Sequence, residues 1–414
     1  MTEWTCNSNE ALTISLLRAP EEANDQRESF HPTFTYPIYG EDETVYGYKD
    51  LAINVQMASG SLATRVSSAY SAKLKSSSST VDDVEGILAK FLPDDHYKAA
   101  DEAAFLQRVK DDASSFRPFG QKIYSYTTTG KGKGRALEDD VEYEVYHATF
   151  DVPGFKEYHR RMQLFILLYI EAGSYINEEE DGWEFVVLYE KRKSRSQPGS
   201  FTYHFAGYSS LYQFYYYPDR LRLRLSQFVI LPPYQRHGHG SELYKSIYEY
   251  VLRSPHFAEL TVEDPAEAFE DLRDRSDLRM LLAHQKFMEE GFGADALTAG
   301  TSASLGKRKR VAGAFQGKMG PPADKAWLEK WRLELKIAGR QFHRLVEMLQ
   351  LLHLEATGAD ASAVRAYRLQ VKERLYRFNY EILMQLEREE RLEKLEETFQ
   401  SVKDDYLRLL AGVQ

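Results

Sequence analysis

The sequence has one cysteine in 414 residues. A lone Cys6 excludes an internal disulfide and a cysteine-built zinc site, and it fits a reducing compartment. It lies in MTEWTCNSNE, which reads as a polar, mobile segment and a poor setting for a nucleophile. That same stretch lacks a basic-then-apolar pattern, so no secretory leader is expected. No run of about 18 apolar residues exists, which excludes a membrane-spanning helix. Excess positive charge is also missing. A net charge of −10 argues against direct nucleic-acid binding as the main task and favours a basic partner. No internal repeat is evident.

What is present is ample material for cores: 43% hydrophobic and 13% aromatic residues. The length predicts two or three domains. Residues 1–125 mix short strand patterns (LTISLL, TVYGYKDLAINVQM) with a helical stretch near DDVEGILAKFL, and form an N-terminal α+β domain. A glycine-rich charged loop, TTTGKGKGRALEDD, follows. Residues 126–295 carry strands (EYEVYHATF, WEFVVLYEK, FTYHFAGYSS, LYQFYYYP, RLRLSQFVIL, ELTVE) and helices, among them one long helix over PGFKEYHRRMQLFILLYIEAGSY. A further helix, PAEAFEDLRDRSDLRMLLAHQKFMEEG, ends at Gly291. Residues 296–322 are rich in Gly, Ala and Ser and read as a flexible basic linker. Residues 323–414 are helix formers with periodic apolar positions, in two or three long helices broken near ATGADAS. Acidic runs occur at Glu41-Asp42-Glu43, Asp139-Asp140 and Glu178-Glu179-Glu180-Asp181. Each taken alone is a solvated loop.

The informative stretch is LPPYQRHGHGSELY, 231–244. The strand before it alternates and then turns wholly apolar, so it is buried at its end. Pro232 and Pro233 remove two N–H donors and stop the ladder. SELYKSIYEYVL then places Leu243, Ile247, Tyr248 and Val251 at helical spacing. Gly238 and Gly240 therefore sit at a strand-to-helix joint, where unpaired N–H groups and the helix dipole favour an anion. A tight packing turn is the plain alternative for two glycines alone. His237 and His239 lack a carboxylate or cysteine to complete a metal set, so no metal is expected.

Gln235, Gly238 and Gly240 form Q-x-x-G-x-G, which resembles the acetyl-CoA signature of the GNAT acetyltransferases. More narrowly, SQFVILPPYQRHGHG followed by TVEDPAEAFEDLRDR is similar to the catalytic subunits of type B histone acetyltransferases. EDETVYGYKDL and YYYPD at 215–219 also fit that pattern. The resemblance covers residues 5–290, and the C-terminal helices carry no usable motif. It implies an α+β fold: a GNAT core with a central mixed, mainly antiparallel sheet flanked by helices. It implies acetyl-CoA as cosubstrate. Phe228, Val229 and Ile230 would face the pantetheine arm as a strand partner. Gln235, Arg236, His237, Gly238, His239, Gly240 and Ser241 would wrap the pyrophosphate. Arg275 matches a cofactor-contacting position, with a surface ion pair as the alternative. Ala266 departs from relatives that have a polar side chain there.

The chemistry needs a base, because a lysine amine with a pKa near 10.4 is protonated at pH 7. Glu263 ends an apolar strand, and its counterpart in the family is the proposed general base. Asp264 beside it would point to the opposite face if the strand continued. Glu171, after LFILLYI, matches another site carboxylate, with a solvent-facing helix end as the alternative. On the substrate side, the resemblance implies the glycine-flanked tail lysines of new histone H four, accompanied by histone H three. Glu41, Asp42, Glu43, Tyr212, Gln213 and Phe214 match tail-contacting stretches, and Trp183 lines the channel or packs in the core. A WD-repeat histone chaperone is the implied partner, and the implied location is cytoplasm and nucleus. GKRKR at 306–310 reads as an import signal or a spacer. TGKGKGR at 129–135 places Lys131 and Lys133 between glycines, as a pseudosubstrate would, or is simply a loop. Rival functions are a GNAT enzyme for another protein or small amine, and a non-catalytic histone-binding adaptor.

Overall fold

The computed structural model describes residues 4–21, 28–75, 80–128, 141–293, 317–358 and 360–413. The lysine loop at 129–135 and the GKRKR run lie outside the described residues. The chain divides into two compact units. One comprises Met1–Phe214 and Arg224–Tyr250, the other Tyr215–Leu223 and Val251–Gln414.

In the first unit, strand β1 (Leu12–Leu17) buries Leu12, Ile14 and Leu16 on one face, the period-2 pattern of a half-covered sheet. It pairs antiparallel with β2 (Glu28–Phe30) and parallel with β3 (Ala52–Ala58), which pairs antiparallel with β4 (Thr64–Ala69). Helix α1 (Glu102–Ser115) places Phe105 and Val109 against Ala58 and Ala63. Cys6 is not in a mobile segment. It sits in a short strand opposite Val45, and burial pushes its thiol up.

The larger sheet of this unit contains β5 (Gln121–Thr128), β6 (Val141–Thr149), β7 (Trp183–Lys193) and most of β8 (Phe201–Tyr216) and β9 (Arg220–Ile230), whose ends at 215–216 and 220–223 are counted with the second unit, in the order β9-β8-β7-β6-β5. The β5–β6, β6–β7 and β7–β8 pairs are antiparallel. FTYHFAGYSS and LYQFYYYP are one strand, β8, rather than two. Its register slips between Leu188 and Tyr189 so that Ala206 bulges out. Between β6 and β7 the expected long helix is two: α2 (Phe155–Met162) and α3 (Leu164–Tyr169). Leu164 through Leu168 are all buried, as the unbroken apolar run demands. Helix α4 (His239–Arg253) follows the glycine loop and buries Leu243, Ile247 and Val251.

The second unit holds β10 (Phe257–Val262), which lies beside the first residues of β9: the Leu221 N–H donates to His256 O at 2.9 Å. The next helix is also two, α5 (Glu267–Ala283) and α6 (Gln285–Phe292). Gly291 does not end it. Gly291 is buried inside α6 against Met319 and Trp327, and Gly293 at φ +95° is the cap. By Lys318 the chain is already docked, with the N–H groups of Lys318 and Met319 on the carbonyls of Glu290 and Gly291 at 2.9 Å. Then come α7 (Lys325–Glu334), α8 (Gly339–Thr357), α9 (Ala361–Phe378) and α10 (Arg388–Ala411). The break expected near ATGADAS is there, made by Gly358 at φ +64° and Asp360 as N-cap of α9. Among the described residues no helix is long and apolar enough to cross a membrane.

Candidate active site

Strand β9 stops where its chemistry says it must. Leu231 gives its N–H to the carbonyl of the bulged Ala206 at 2.9 Å, and Pro232–Tyr234 then form a single 3₁₀ turn. Close packing beside this end is obligatory: a Cβ on Gly207 would stand 2.4 Å from Val229 O. Val229 and Ile230 are buried, and Phe228 is half-buried. The Gln235 amide reaches back to Ile230 O at 2.8 Å and fixes the turn onto the strand.

The loop that follows has positive φ at Arg236 (61°) and Gly238 (89°). Such alternation around a turn gathers backbone N–H groups on one side, and the first turn of α4 adds N–H groups with no intrahelical acceptor. A Cβ on Gly238 would meet no heavy atom within 4 Å, so the space over this glycine is open. Arg236 and His237 are exposed, and Gly240 and Ser241 are half-covered in the opening turn of α4. The arrangement can hold an anion through backbone groups at a helix N-terminus.

His239 behaves differently from its neighbour. It is buried, its Nδ1 lies 2.7 Å from the Tyr126 hydroxyl, and its ring centre is 4.2 Å from that of Tyr143. Burial, reinforced by His237, pushes its imidazole down to about 4, so it is neutral at pH 7. Its side chain anchors the loop inward, and only its backbone can serve an anion. Tyr234, also buried, donates its hydroxyl to Glu190 at 2.8 Å, and Glu190 is paired with Arg18 at 2.7 Å. Burial alone would raise the Glu190 carboxyl; Arg18 foremost outweighs that and holds it at about 2. Nothing in the QxxGxG pattern pointed to this anchoring set of Tyr126, Tyr143, Glu190 and Arg18. Its only trace was the aromatic alternation of β5 and β6.

Glu171 is exposed in the turn after α3. This turn is brought to β9, because Gln227 donates to Ser174 O at 2.9 Å. It is also brought to the acidic loop: the N–H groups of Thr33 and Phe34 bond Leu168 O, and Ala172 N–H bonds the Tyr36 hydroxyl at 2.5 Å. Glu41 and Asp42 are exposed. Glu43 departs from the expectation. Its carboxylate accepts from Thr35 N–H at 2.8 Å, Tyr36 N–H and the Asn9 amide at 2.6 Å, so it braces its own loop. Trp183 and Tyr212 face each other across β7 and β8 at 4.7 Å, Phe214 packs on Tyr212, and Arg224 lies over Phe214 at 4.3 Å. Gln213 is turned inward to Glu184, which also takes His147 at 2.6 Å and the Tyr250 hydroxyl at 2.7 Å. Gln213 and Glu43 thus have internal partners that an acidic or polar letter in the sequence does not disclose.

In the second unit, Glu263 and Asp264 are exposed just past β10. The strand does not continue to Asp264, which has φ +31°, so the two carboxylates are not related by strand alternation. Ala266 is the N-cap residue of α5 and has no side-chain capping bond. Arg275 pairs with Asp271 at 3.2 Å, one turn back, and Asp271 is shared with Arg408 of α10. The surface ion pair is the arrangement present. Among the described residues no group of three or more His, Cys, Asp or Glu is placed to share a metal ion.

Residues 4–171 match the family model described as histone acetyl transferase HAT1 N-terminus, and residues 312–355 match that of fungal HAT1, C-terminal. A histone acetyltransferase type B catalytic subunit of Cryptococcus neoformans var. neoformans serotype D is 48% identical, covering 99% of this chain and 98% of its own. That of Mycosarcoma maydis is 44% identical over 97% of this chain and 87% of its own. Yarrowia lipolytica has one at 36% identity over 100% and 93%. A solved metagenomic aminoglycoside acetyltransferase in complex with sisomicin aligns with 32% of this chain and 86% of its own, at 12% identity and TM-score 0.24, too slight a likeness to support any argument. At such identities over nearly the full length of both chains, this chain belongs to the family of type B histone acetyltransferase catalytic subunits.

Proposed function

We propose that this chain transfers the acetyl group of acetyl-CoA to lysine side chains in the N-terminal tail of histone H four. Membership of the family carries the class of activity, acetyl transfer to histones. The observation that carries the cosubstrate reading is the open loop at 235–238, with positive φ at Arg236 and Gly238, where β9 hands over to α4. Bound acetyl-CoA supplies the acetyl group as an activated thioester. The N–H groups of the loop and of the first turn of α4 would hold its pyrophosphate, and Phe228 to Ile230 would align its pantetheine arm. Gln235 keeps the loop on the strand end, and Ser241 can add a hydroxyl. His239 contributes backbone and anchoring, not charge.

Glu263 is the group proposed to take the proton from the lysine ammonium, leaving a neutral amine able to attack. Glu171 and Asp264 are proposed as accessory carboxylates that favour the cationic substrate. Exposed Glu41 and Asp42, with the Trp183, Tyr212 and Phe214 rings, suit a glycine-rich basic tail, which offers charge and little apolar surface. Histone H three and a WD-repeat chaperone are the proposed companions, and cytoplasm and nucleus the proposed setting. The test is mass spectrometry of a histone H three–H four tetramer after incubation with the enzyme and acetyl-CoA. Enzyme-dependent acetyl groups on tail lysines of histone H four are expected. Acetylation of a polyamine but not of the tetramer would favour a small-amine enzyme. Binding of the tetramer without transfer would favour an adaptor.

A further inference from the structure

The role of the helices after residue 323 has no motif to announce it, yet their contacts converge on one joint. The four residues Glu263 to Ala266 connect β10, which ends at Val262, to α5, which begins at Glu267. Both neighbours of this joint are held by the C-terminal region. On the strand side, Leu260 N–H donates to Lys336 O at 3.0 Å, and Leu260 and Ile337 form a parallel bridge. The segment after α7 thereby adds a strand-like edge to β10. Leu260 and Ile337 are 2% and 3% exposed, so the join is dry. Glu259, buried one residue earlier, receives Arg332 at 3.0 Å and Arg222 at 2.6 Å. Lys336 sits at φ +53°, a conformation that a non-glycine residue keeps only when its surroundings fix it. Its ammonium donates to the carbonyls of Val251 (3.0 Å), Leu252 (3.2 Å) and Ser254, where α4 ends. A lysine there satisfies orphan carbonyls and the negative end of the helix dipole. One residue thus binds β10 through its backbone and the end of α4 through its side chain.

On the helix side, buried Asp274 of α5 takes Arg344 of α8 at 2.9 Å and Gln341 at 2.8 Å. Gln341 also reaches Asp277 at 2.9 Å, and Arg408 of α10 holds Asp271 at 2.5 Å. The joint hangs between two elements that the C-terminal helices fix.

We infer that residues 332–337 are part of the catalytic scaffold, with Lys336 and Arg332 as positioning residues that aim Glu263 by fixing β10. The inference rests on the proposed role of Glu263 as base. Misplacing a reacting group by about 1 Å can cost up to 100-fold in rate.

The experiment uses the full chain and four variants: Lys336→Met, Lys336→Arg, Arg332→Gln and Glu263→Gln, with Lys336→Met also made in the Glu263→Gln background. Single-turnover acetyl transfer, acetyl-CoA affinity and amide hydrogen exchange over 257–266 are measured on each. Lys336→Met should slow transfer about tenfold, leave acetyl-CoA affinity within about twofold, and speed exchange over 257–266. Lys336→Arg should recover most of the rate, because its guanidinium can still donate to the same carbonyls. In the Glu263→Gln background Lys336→Met should cost no further rate, since a group acting through Glu263 has nothing left to aim. An equal fractional loss in both backgrounds, or unchanged exchange and rate, overturns the inference. If Lys336→Met does not fold, Arg332→Gln, alone and in the Glu263→Gln background, carries the same readouts. Wild-type turnover in Glu263→Gln would sink the base assignment alone. In that event the exchange over 257–266 still decides whether Lys336 holds β10, and unchanged exchange overturns it.

Discussion

Gly238→Val separates the two readings of the glycine loop, ligand cradle or packing turn. In the protein alone the new side chain is sterically free, since nothing lies within 4 Å of a Cβ at this position. Its cost is conformational. Gly238 has φ +89°, and an L-residue held on that side of the map costs about 1–2 kcal/mol. At roughly 2–4 °C per kcal/mol for a large domain, the melting temperature should fall by no more than about 8 °C. If the turn relaxes instead, it must be re-formed on binding, and 1–2 kcal/mol is about 5- to 30-fold in affinity. The branched Cβ also stands where a phosphate would approach the backbone, so the total loss should be about 30-fold or more. Gly207→Val is the contrast: its Cβ would lie 2.4 Å from Val229 O, so it should fail in folding before it fails in binding. Calorimetry with acetyl-CoA, beside a thermal melt, reads both quantities. A folded Gly238→Val enzyme with unchanged affinity would refute the cradle and leave the glycine as a turn residue.

Period-2 and period-3.6 patterns located β9, α4 and the joint between them, because alternation and helical spacing are local properties. The pattern could not say that FTYHFAGYSS and LYQFYYYP are one strand, because His204 to Leu211 are buried on both faces and leave no alternation to follow across the join. It missed α1, whose DEAAFLQRVKDDASS buries only Phe105, Val109 and Asp112 among polar neighbours. The end of α6 was misread by one glycine, since Gly291 is wanted for packing on Met319 and Gly293 for its backbone. At the candidate site, the loop was legible because prolines and glycines dictate backbone. Side-chain duties were not. His239, Glu43 and Gln213 look like available polar groups, but His239 is committed to a partner 113 positions away, Gln213 to one 29 away, and Glu43 to its own loop. Such pairings are tertiary facts that no local window contains. The same holds for the C-terminal helices, whose bonds to β10 and α5 join residues 67, 73 and 137 positions apart.

Glu263→Gln should leave acetyl-CoA affinity near normal and lower turnover about 100-fold or more at pH 7, measured by steady-state kinetics; near wild-type turnover would remove Glu263 from the mechanism. Arg18→Met should destabilise the protein by about 3–5 kcal/mol in denaturant unfolding, because it removes the main counter-charge of buried Glu190; a loss under about 1 kcal/mol would show that Tyr234 and Arg192, which also pairs with the Glu190 carboxylate, suffice. His239 should show no NMR titration between pH 5 and 8, and a midpoint near 6.5 would mean that its ring faces solvent. Acid stability follows from Glu190 with a definite sign. Its folded carboxyl is held at about 2, below its ordinary 4.5. The stabilisation it provides is therefore fully present above about 4.5 and is lost as pH falls toward 2, where the unfolded chain has already taken the proton. His239 works in the same direction at milder pH, since its folded imidazole is lowered to about 4 and an unfolded one gains a proton near 6.5. Unfolding free energy should thus fall in two overlapping stages on acidification, one from about 6.5 downward as His239 and the buried His204, lowered by burial to about 3, resist protonation, and one from about 4.5 to 2 set by Glu190. Glu190→Gln should flatten the second stage and leave the first. A variant with the second stage intact would place the acid-sensitive carboxylate elsewhere, and the Arg18–Glu190–Tyr234 anchor of the loop would lose its electrostatic basis.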